Sequence, residues 1–229
     1  ARGVALPLDR AQANYVLNVL RLKAGAALLV FNGTDGEWLS HVAPEGRKSA
    51  SLVCDRQIRS QPPRPDIDYL FAPIKHARLD YMVQKSVEMG AGRLRPVITR
   101  RTQVSRVNME RMRANVIEAA EQCGILAMPE LLPEVKLEQA LNELGPGRRL
   151  VFCDENAPLA DPIAALRPCA AGPLAVIIGP EGGFSPEERA LLLAHPGSVQ
   201  VSLGPRILRA DTAAVAALAL VQAVSGDVR

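Results

Sequence analysis

Apolar residues along this chain recur at two different spacings, and the change between them divides it. Ahead of residue 60 they alternate or run in short blocks, so that 26–31, 37–42 and 50–58 read as strands, because alternation turns one side of a pleat toward a core and the other toward water. Asn32-Gly33 and Asp35-Gly36 supply turn residues between the first two, being types that tolerate positive φ. Asp9 is suited to cap a short helix reaching Leu20. The run 59–66 contains Pro62, Pro63 and Pro65 among polar residues, which disfavours helix and central strand and predicts an extended linker.

Beyond the linker, short apolar strands alternate with amphipathic helices. Strands are predicted at 69–72, 94–99, 150–153, 174–178 and 199–203. Leu79, Met82, Val83 and Val87 recur at helical spacing up to Gly90, 108–124 carries plausible caps at both ends, and a last helix spans 212–224. Such alternation predicts an α/β domain, a mostly parallel sheet with helices on both faces. Two domains are therefore expected, a small β module at 1–66 and the α/β domain at 67–229, with no internal repeat.

Composition narrows the class. With 48% hydrophobic and 22% charged residues among 229, the chain can bury a core and lies outside the disordered range. The longest apolar stretches, such as 213–221, fall short of the roughly 18 residues a membrane span needs, and no basic-then-apolar leader opens the sequence. A cytoplasmic protein without a membrane partner is expected. Cys54, Cys123, Cys153 and Cys169 form no C-x-x-C pair, so neither a metal site nor a disulfide framework is expected. Cys123 reads as a small buried hydrophobe, and neither it, His76 nor Ser185 forms a credible nucleophile and base pair.

The net charge of +3 is unevenly spread. Lys and Arg outnumber Asp and Glu nine to six in 1–66 and ten to four in 67–113, but are outnumbered eight to fourteen in 114–229. A basic first half points to a surface facing a polyanion. Within it, Arg93, Arg95, Arg100, Arg101, Arg106, Arg111 and Arg113 stand against the single acid Glu110. Arginine pairs in plane with phosphate oxygens and stacks on bases, which favours RNA contact over a merely solvated helix face. Aromatics at 3% argue against a stacking platform for single strands.

Two strand ends carry the candidate chemistry. In Ile177-Ile178-Gly179-Pro180-Glu181-Gly182-Gly183-Phe184-Ser185-Pro186 a strand breaks into a glycine turn and a helix follows. Ligands bind at such strand ends in open α/β sheets, although Ser185 as N-cap with Pro186 at the first helical position would make an equally good turn without a ligand. The run matches neither G-x-G-x-x-G nor G-x-x-x-x-G-K-[ST]. Glu181 would repel a pyrophosphate and favour a ligand with a positive centre, such as a sulfonium. The second run, Leu203-Gly204-Pro205-Arg206-Ile207-Leu208-Arg209-Ala210-Asp211-Thr212, places Arg206 and Arg209 near a helix start, where the helix dipole disfavours cations. They read either as phosphate ligands or as partners of Asp211 and Glu181. The two loops would border one pocket if their strands are neighbours.

Together with Gln84-Lys85-Ser86-Val87-Glu88-Met89-Gly90, Arg100-Arg101-Thr102 and Glu121-Gln122-Cys123-Gly124, these loops closely resemble the RsmE family, SPOUT-type methyltransferases that modify N3 of a uridine in 16S ribosomal RNA. The resemblance extends from Val19-Leu20-Arg21-Leu22-Lys23 to Ala213, nearly the whole chain. It implies a C-terminal domain with a deep trefoil knot, an N-terminal PUA-like β-barrel that assists RNA binding, a homodimer, and a target in the decoding region of the small subunit. S-adenosylmethionine would lie among Ile178, Gly179, Pro180, Gly182, Leu203, Gly204, Ile207 and Leu208, with no metal. Arg209 is the candidate cation for a uracil anion, Glu181 a candidate for acid–base or positioning work, and Arg21, Lys23, Lys85, Arg100 and Arg101 candidates for RNA contact.

The chain departs from the family pattern at Asp211, where glutamate is usual, at Asn14 or Tyr15, where histidine is common, and at Ile125, where arginine is frequent. The usual aromatic opening strand is absent, which suggests a trimmed N-terminus. Three rival readings remain at this stage. A non-catalytic RNA-binding protein leaves the glycine loops without a role, and an oxidoreductase with an atypical nucleotide loop accounts only for the α/β domain. A related knotted enzyme with a different RNA target shares every feature.

Overall fold

The structure, a computed structural model, describes residues 1–46, 49–104, 106–158, 160–170 and 172–226, the side chain of His76 excepted. It contains two compact units, Ala1–Pro63 and Arg64–Arg229. The division falls ahead of the expected 66/67 because Arg64 already bonds within the second unit, its Nε donating to the Met128 carbonyl (3.2 Å) and its Nη1 to Glu130 (3.0 Å).

The first unit comprises β1 (Ala5–Pro7), α1 (Arg10–Asn14), a π-helical segment (Tyr15–Val19), β2 (Ala27–Phe31), β3 (Glu37–Pro44) and β4 (Ala50–Arg59). Its strands form an antiparallel sheet in the order β1-β4-β3-β2. Asp9 caps α1 as expected, with a reciprocal bond between its carboxylate and Gln12 N (2.8 Å) and between Gln12 Oε1 and Asp9 N (3.1 Å). The single helix expected to reach Leu20 instead loosens into the π-helical segment and stops at Arg21, whose φ is 56°. Strand β1 was not foreseen, since three residues are too few to show a period; it pairs with β4. Asn32 Oδ1 accepts from the backbone of Thr34 and Asp35 and so closes the β2–β3 turn. Val16, Val42 and Leu52 form a small core with Leu8, Leu17, Leu22, Leu28 and Val30 packed around them.

The second unit contains β5 (Ile67–Phe71), α2 (His76–Glu88), β6 (Arg93–Ile98), α3 (Met109–Cys123), β7 (Glu130–Leu131), β8 (Val135–Lys136), α4 (Leu137–Asn142), β9 (Arg149–Cys153), α5 (Pro162–Leu166), β10 (Leu174–Ile178), α6 (Pro186–Ala194), β11 (Ser198–Val201) and α7 (Ala210–Ser225). The strands pair in parallel in the order β11-β9-β10-β5-β6-β7, with β8 also beside β6. The strand pleat turns Leu70, Val97, Phe152 and Ile177 toward Leu137, Ala140 and Leu141 of α4 and Leu192 of α6. On the other face α2 packs with α3 and α7, and α7 against β10. Asn108 caps α3, and Gly124 ends it in a left-handed conformation. Cys123, expected to be buried, is exposed: it lies in the last turn of α3, beyond the buried positions Met112, Val116, Ala119 and Ala120.

At the N-terminal end of the sheet, charge replaces apolar packing. Arg148 is 8% exposed and reaches Asp66 (2.5 Å) and Asp68 (3.3 Å), while Arg93 grips Asp68 at 2.5 and 2.9 Å. These ion pairs join the starts of β5, β6 and β9. The opposite end of the sheet is thereby left as the open end.

Candidate functional site

The C-terminal ends of β9, β10 and β11 release three loops around a cavity of about 370 Å³. The two loops foreseen in the sequence do share a pocket, although their strands are not neighbours, because β9 lies between β10 and β11. Its own loop, Asp154-Glu155-Asn156, completes the wall together with Phe152 and Cys153. Sequence reasoning missed this third loop, along with Arg78 on α2 and Arg189 on α6, which also line the cavity. The apolar strand ending at Cys153 was the signal that could have revealed it, since ligand sites gather beyond the carboxyl ends of parallel strands.

Local bonds fix each loop. Asp154 is buried; its carboxylate accepts from Arg189 Nε (2.8 Å), Gln200 Nε2 (2.7 Å) and Asn156 N (3.0 Å). It therefore ties the end of β9 to α6 and β11. After β10, Gly183 N donates to the Pro180 carbonyl (2.9 Å), and the Phe184 ring stands edge-on to Phe152, with centroids 5.5 Å apart. Ser185 then caps α6 in a reciprocal box with Glu188, and Pro186 occupies the first turn. The turn-and-cap reading of this run is thus realised alongside the cavity. The buried Glu188 also accepts from Arg100 N (2.7 Å), which fastens the loop after β6 to the start of α6.

The sequence-predicted donor residues converge. Ile178, Gly179, Pro180, Leu203, Gly204, Ile207 and Leu208 all line the cavity, as do Glu181 and Arg209. Gly182 does not; it faces a shallow crevice behind the loop, where its missing Cβ would contact Arg101 at 3.6 Å. Gly204 adopts φ +101° with open space where a side chain would project, a conformation that L-residues avoid. Ile207 is 87% exposed.

Electrostatics separate paired from unpaired groups. Glu181 forms an ion pair with Arg78, not with Arg206 or Arg209 as one reading of the sequence allowed. Asp211 accepts from the neighbouring Thr212 N. Arg206 and Arg209 are exposed and have no ion-pair partner among the described residues, so the salt-bridge reading of these two is not realised. Burial pushes the Cys153 thiol up to about 12, which disfavours the thiolate. Beneath the sheet end, Tyr69 is fully buried, and its hydroxyl is held well above the usual range by desolvation, with Cys153 and Asp211 adding to the effect.

The candidate RNA residues have varied settings. Arg21 and Lys23 lie exposed in the turn before β2. Lys85, in the last turn of α2, holds both oxygens of Glu88 at 2.8 Å, a contact that raises its pKa, and lies 5.6 Å from the Tyr81 ring centre. Arg100 pairs with Glu187 (2.9 Å), and Arg101 Nη1 donates to the Gly182 carbonyl (2.7 Å). Among the described residues, five of the seven arginines between 93 and 113 have acceptors inside the protein: Arg93 on Asp68, Arg95 on Glu143, Arg111 on Asp80, and Arg100 and Arg101 as above. Among the described residues no group of three or more His, Cys, Asp or Glu could hold a metal, and no helix is long and apolar enough to cross a membrane.

Known proteins share this arrangement. Residues 61–222 match the family model described as an RNA methyltransferase domain, and residues 8–53 that of an RNA methyltransferase PUA domain. Ribosomal RNA small subunit methyltransferase E of Rickettsia conorii is 32% identical over 210 residues, covering 91% of this chain and 85% of the relative. The protein of the same name from Synechocystis is 30% identical, covering 95% and 72%. The crystal structure of ribosomal RNA small subunit methyltransferase E from Neisseria gonorrhoeae, bound to S-adenosyl methionine, superposes with a TM-score of 0.84 at 28% identity, covering 97% of this chain and 92% of that one.

Proposed function

The chain belongs to the RsmE family of ribosomal RNA small subunit methyltransferases, and from that premise we propose that it transfers a methyl group from S-adenosylmethionine to N3 of one uridine in the decoding region of 16S ribosomal RNA. The observation that carries this reading is the cavity built from three strand-end loops, lined by two guanidiniums, Arg206 and Arg209, that have no ion-pair partner among the described residues. Its volume lies within the range of small-molecule sites, and the open space at Gly204 is a cradle that any side chain would fill.

Ile178, Gly179, Pro180, Leu203, Gly204, Ile207 and Leu208 would hold the donor. Bound there, it supplies a methyl group already activated by a sulfonium. The protein's own work is alignment and charge control. Its walls exclude water and hold N3 in line with the methyl carbon. N3 of uracil carries a proton; its transfer to solvent water as the base enters leaves an anion, so an unpaired cation at the reacting end lowers the barrier. Its position in the cavity lining, without an ion-pair partner among the described residues, supports Arg209 in that role. Glu181 serves to position Arg78; acid–base work by it would first require exchange of that partner.

The target nitrogen lies on the pairing edge of the base, so the nucleotide must be unstacked or already unpaired to enter. Arg21 and Lys23, together with Lys85, Arg100 and Arg101, would supply RNA contacts whose strength falls with salt. This reading includes a homodimer acting in the cytoplasm on RNA within the small subunit, and a deep trefoil knot. The return of β11 to the outer side of β9 supports the knot.

Primer extension on unmodified small subunits, incubated with the protein and S-adenosylmethionine, tests the proposal, because an N3 methyl blocks pairing and stops the polymerase. A donor-dependent stop at one uridine is expected. Donor binding without a stop would redirect the chemistry to a different RNA.

A further inference from the structure

Three carboxylates line the cavity, and two of them are already satisfied. Asp154, its side chain 3% exposed, accepts from Arg189, Gln200 and Asn156, and Glu181 is paired with Arg78. Glu155 differs. It stands at the tip of a turn closed by Asn156 N on Asp154 Oδ1 and Ala157 N on the Asp154 carbonyl, both at 3.0 Å. Its carboxylate lies against the loop after β10, where a Cβ on Gly183 would come within 2.8 Å of Oε1. It is exposed, and no hydrogen bond or ion pair engages it among the described residues.

The uncommitted charges of the cavity are therefore one anion on the loop after β9 and two cations, Arg206 and Arg209, on the loop after β11. An α-amino acid zwitterion presents the complementary pair. Resting on the donor reading above, we propose that Glu155 recognises the α-ammonium group at the methionyl end of S-adenosylmethionine, with the donor carboxylate turned toward Arg206, and Arg209 left for the uracil anion. Neutral ribose hydroxyls are the weaker partner, because a hydrogen bond between an ammonium and a carboxylate is stronger than one from a neutral hydroxyl.

Two ligands separate the possibilities. S-adenosylhomocysteine keeps the amino-acid end, whereas 5′-methylthioadenosine keeps the adenosine and thioether and lacks it. Calorimetric affinities of both are measured on the intact chain and on Glu155→Gln, an exposed and nearly isosteric change whose fold is checked by circular dichroism. The variant is expected to bind S-adenosylhomocysteine about tenfold or more weakly, the loss of one charge-assisted hydrogen bond, and 5′-methylthioadenosine as tightly as before. An equal loss for both ligands would overturn the assignment and move Glu155 to the adenosine. No change for either would remove it from the site. An unaltered chain that binds neither ligand would overturn the donor reading, and this assignment with it.

Discussion

The Phe184 ring occupies the space that a side chain on Gly179 would need: a Cβ built there would lie 2.7 Å from Phe184 Cε2. The ring cannot easily move, because its other contact is the edge-on packing against Phe152, a residue 1% exposed in the sheet core. Glycine at this position is therefore a packing requirement as well as a turn feature, and it couples the cavity wall to the core. Gly179→Ala is expected to destabilise the second unit by about 1–3 kcal/mol, the usual effect of overpacking, and to weaken donor binding by displacing the 180–184 loop. Urea midpoints and calorimetry with S-adenosylhomocysteine check both. An unchanged midpoint would show that Phe184 yields freely.

Legibility from sequence followed the length of the signal. Strand β10 and helix α3 were placed within a residue of their ends, because a five-residue apolar block and a helix capped by Asn108 and Gly124 carry their own limits. Strands β7 and β8, at two residues each, have no period to read. The third cavity loop was missed because it depends on strand order: β9 enters between β10 and β11, a non-local fact that periodicity does not encode. The arginine run was legible as charge but not as use. Its partners lie far along the chain, 25 residues away for Arg93 to Asp68, 48 for Arg95 to Glu143 and 31 for Arg111 to Asp80. Part of what reads as a surface for a polyanion is thus consumed within the fold.

The first unit should carry an acid-sensitive ion pair. Glu37 is 8% exposed and accepts two bonds of 2.8 Å from Arg59; the hydrogen bonding from Arg59 holds its carboxyl below the usual 4.5, against the opposing effect of burial. A carboxyl with a lower pKa in the folded than in the unfolded state adds stability above its unfolded pKa. That contribution is lost as pH falls through the folded value. Trp38, the one tryptophan of the sequence, sits next in the strand and reports this unit. Its emission in urea at about pH 6 and about pH 3.5 should show a larger acid loss for the unaltered chain than for Glu37→Gln. Equal losses would mean that the pair contributes nothing on folding.

At the far end of the sheet from the cavity, Arg148→Met should be severe for stability and silent for binding. The substitution removes the cation shared by Asp66 and Asp68 and leaves Asp68, 9% exposed, with Arg93 alone. Breaking a buried pair by removing one partner costs about 3–5 kcal/mol, and the remaining Arg93 contact places the expectation near the lower figure. Denaturant unfolding measures the loss. Donor affinity under conditions where the variant is folded should be unchanged, and a shift in it would show that the two ends of the sheet are coupled.

Arg101 separates two readings of the same residue. As a surface cation it would touch only RNA; in the structure its guanidinium donates to the Gly182 carbonyl at 2.7 Å and so braces the glycine loop from behind. Arg101→Ala is expected to weaken S-adenosylhomocysteine binding by about fivefold, the effect of one hydrogen bond worth roughly 1 kcal/mol, even with no RNA present. Arg101→Lys keeps the charge but lacks the planar, forked donor. It should therefore restore salt-dependent RNA binding in a filter assay while leaving the donor affinity reduced. If both substitutions left donor affinity intact and only alanine lowered RNA binding, the bracing role would fail, and Arg101 would be a contact to phosphate alone.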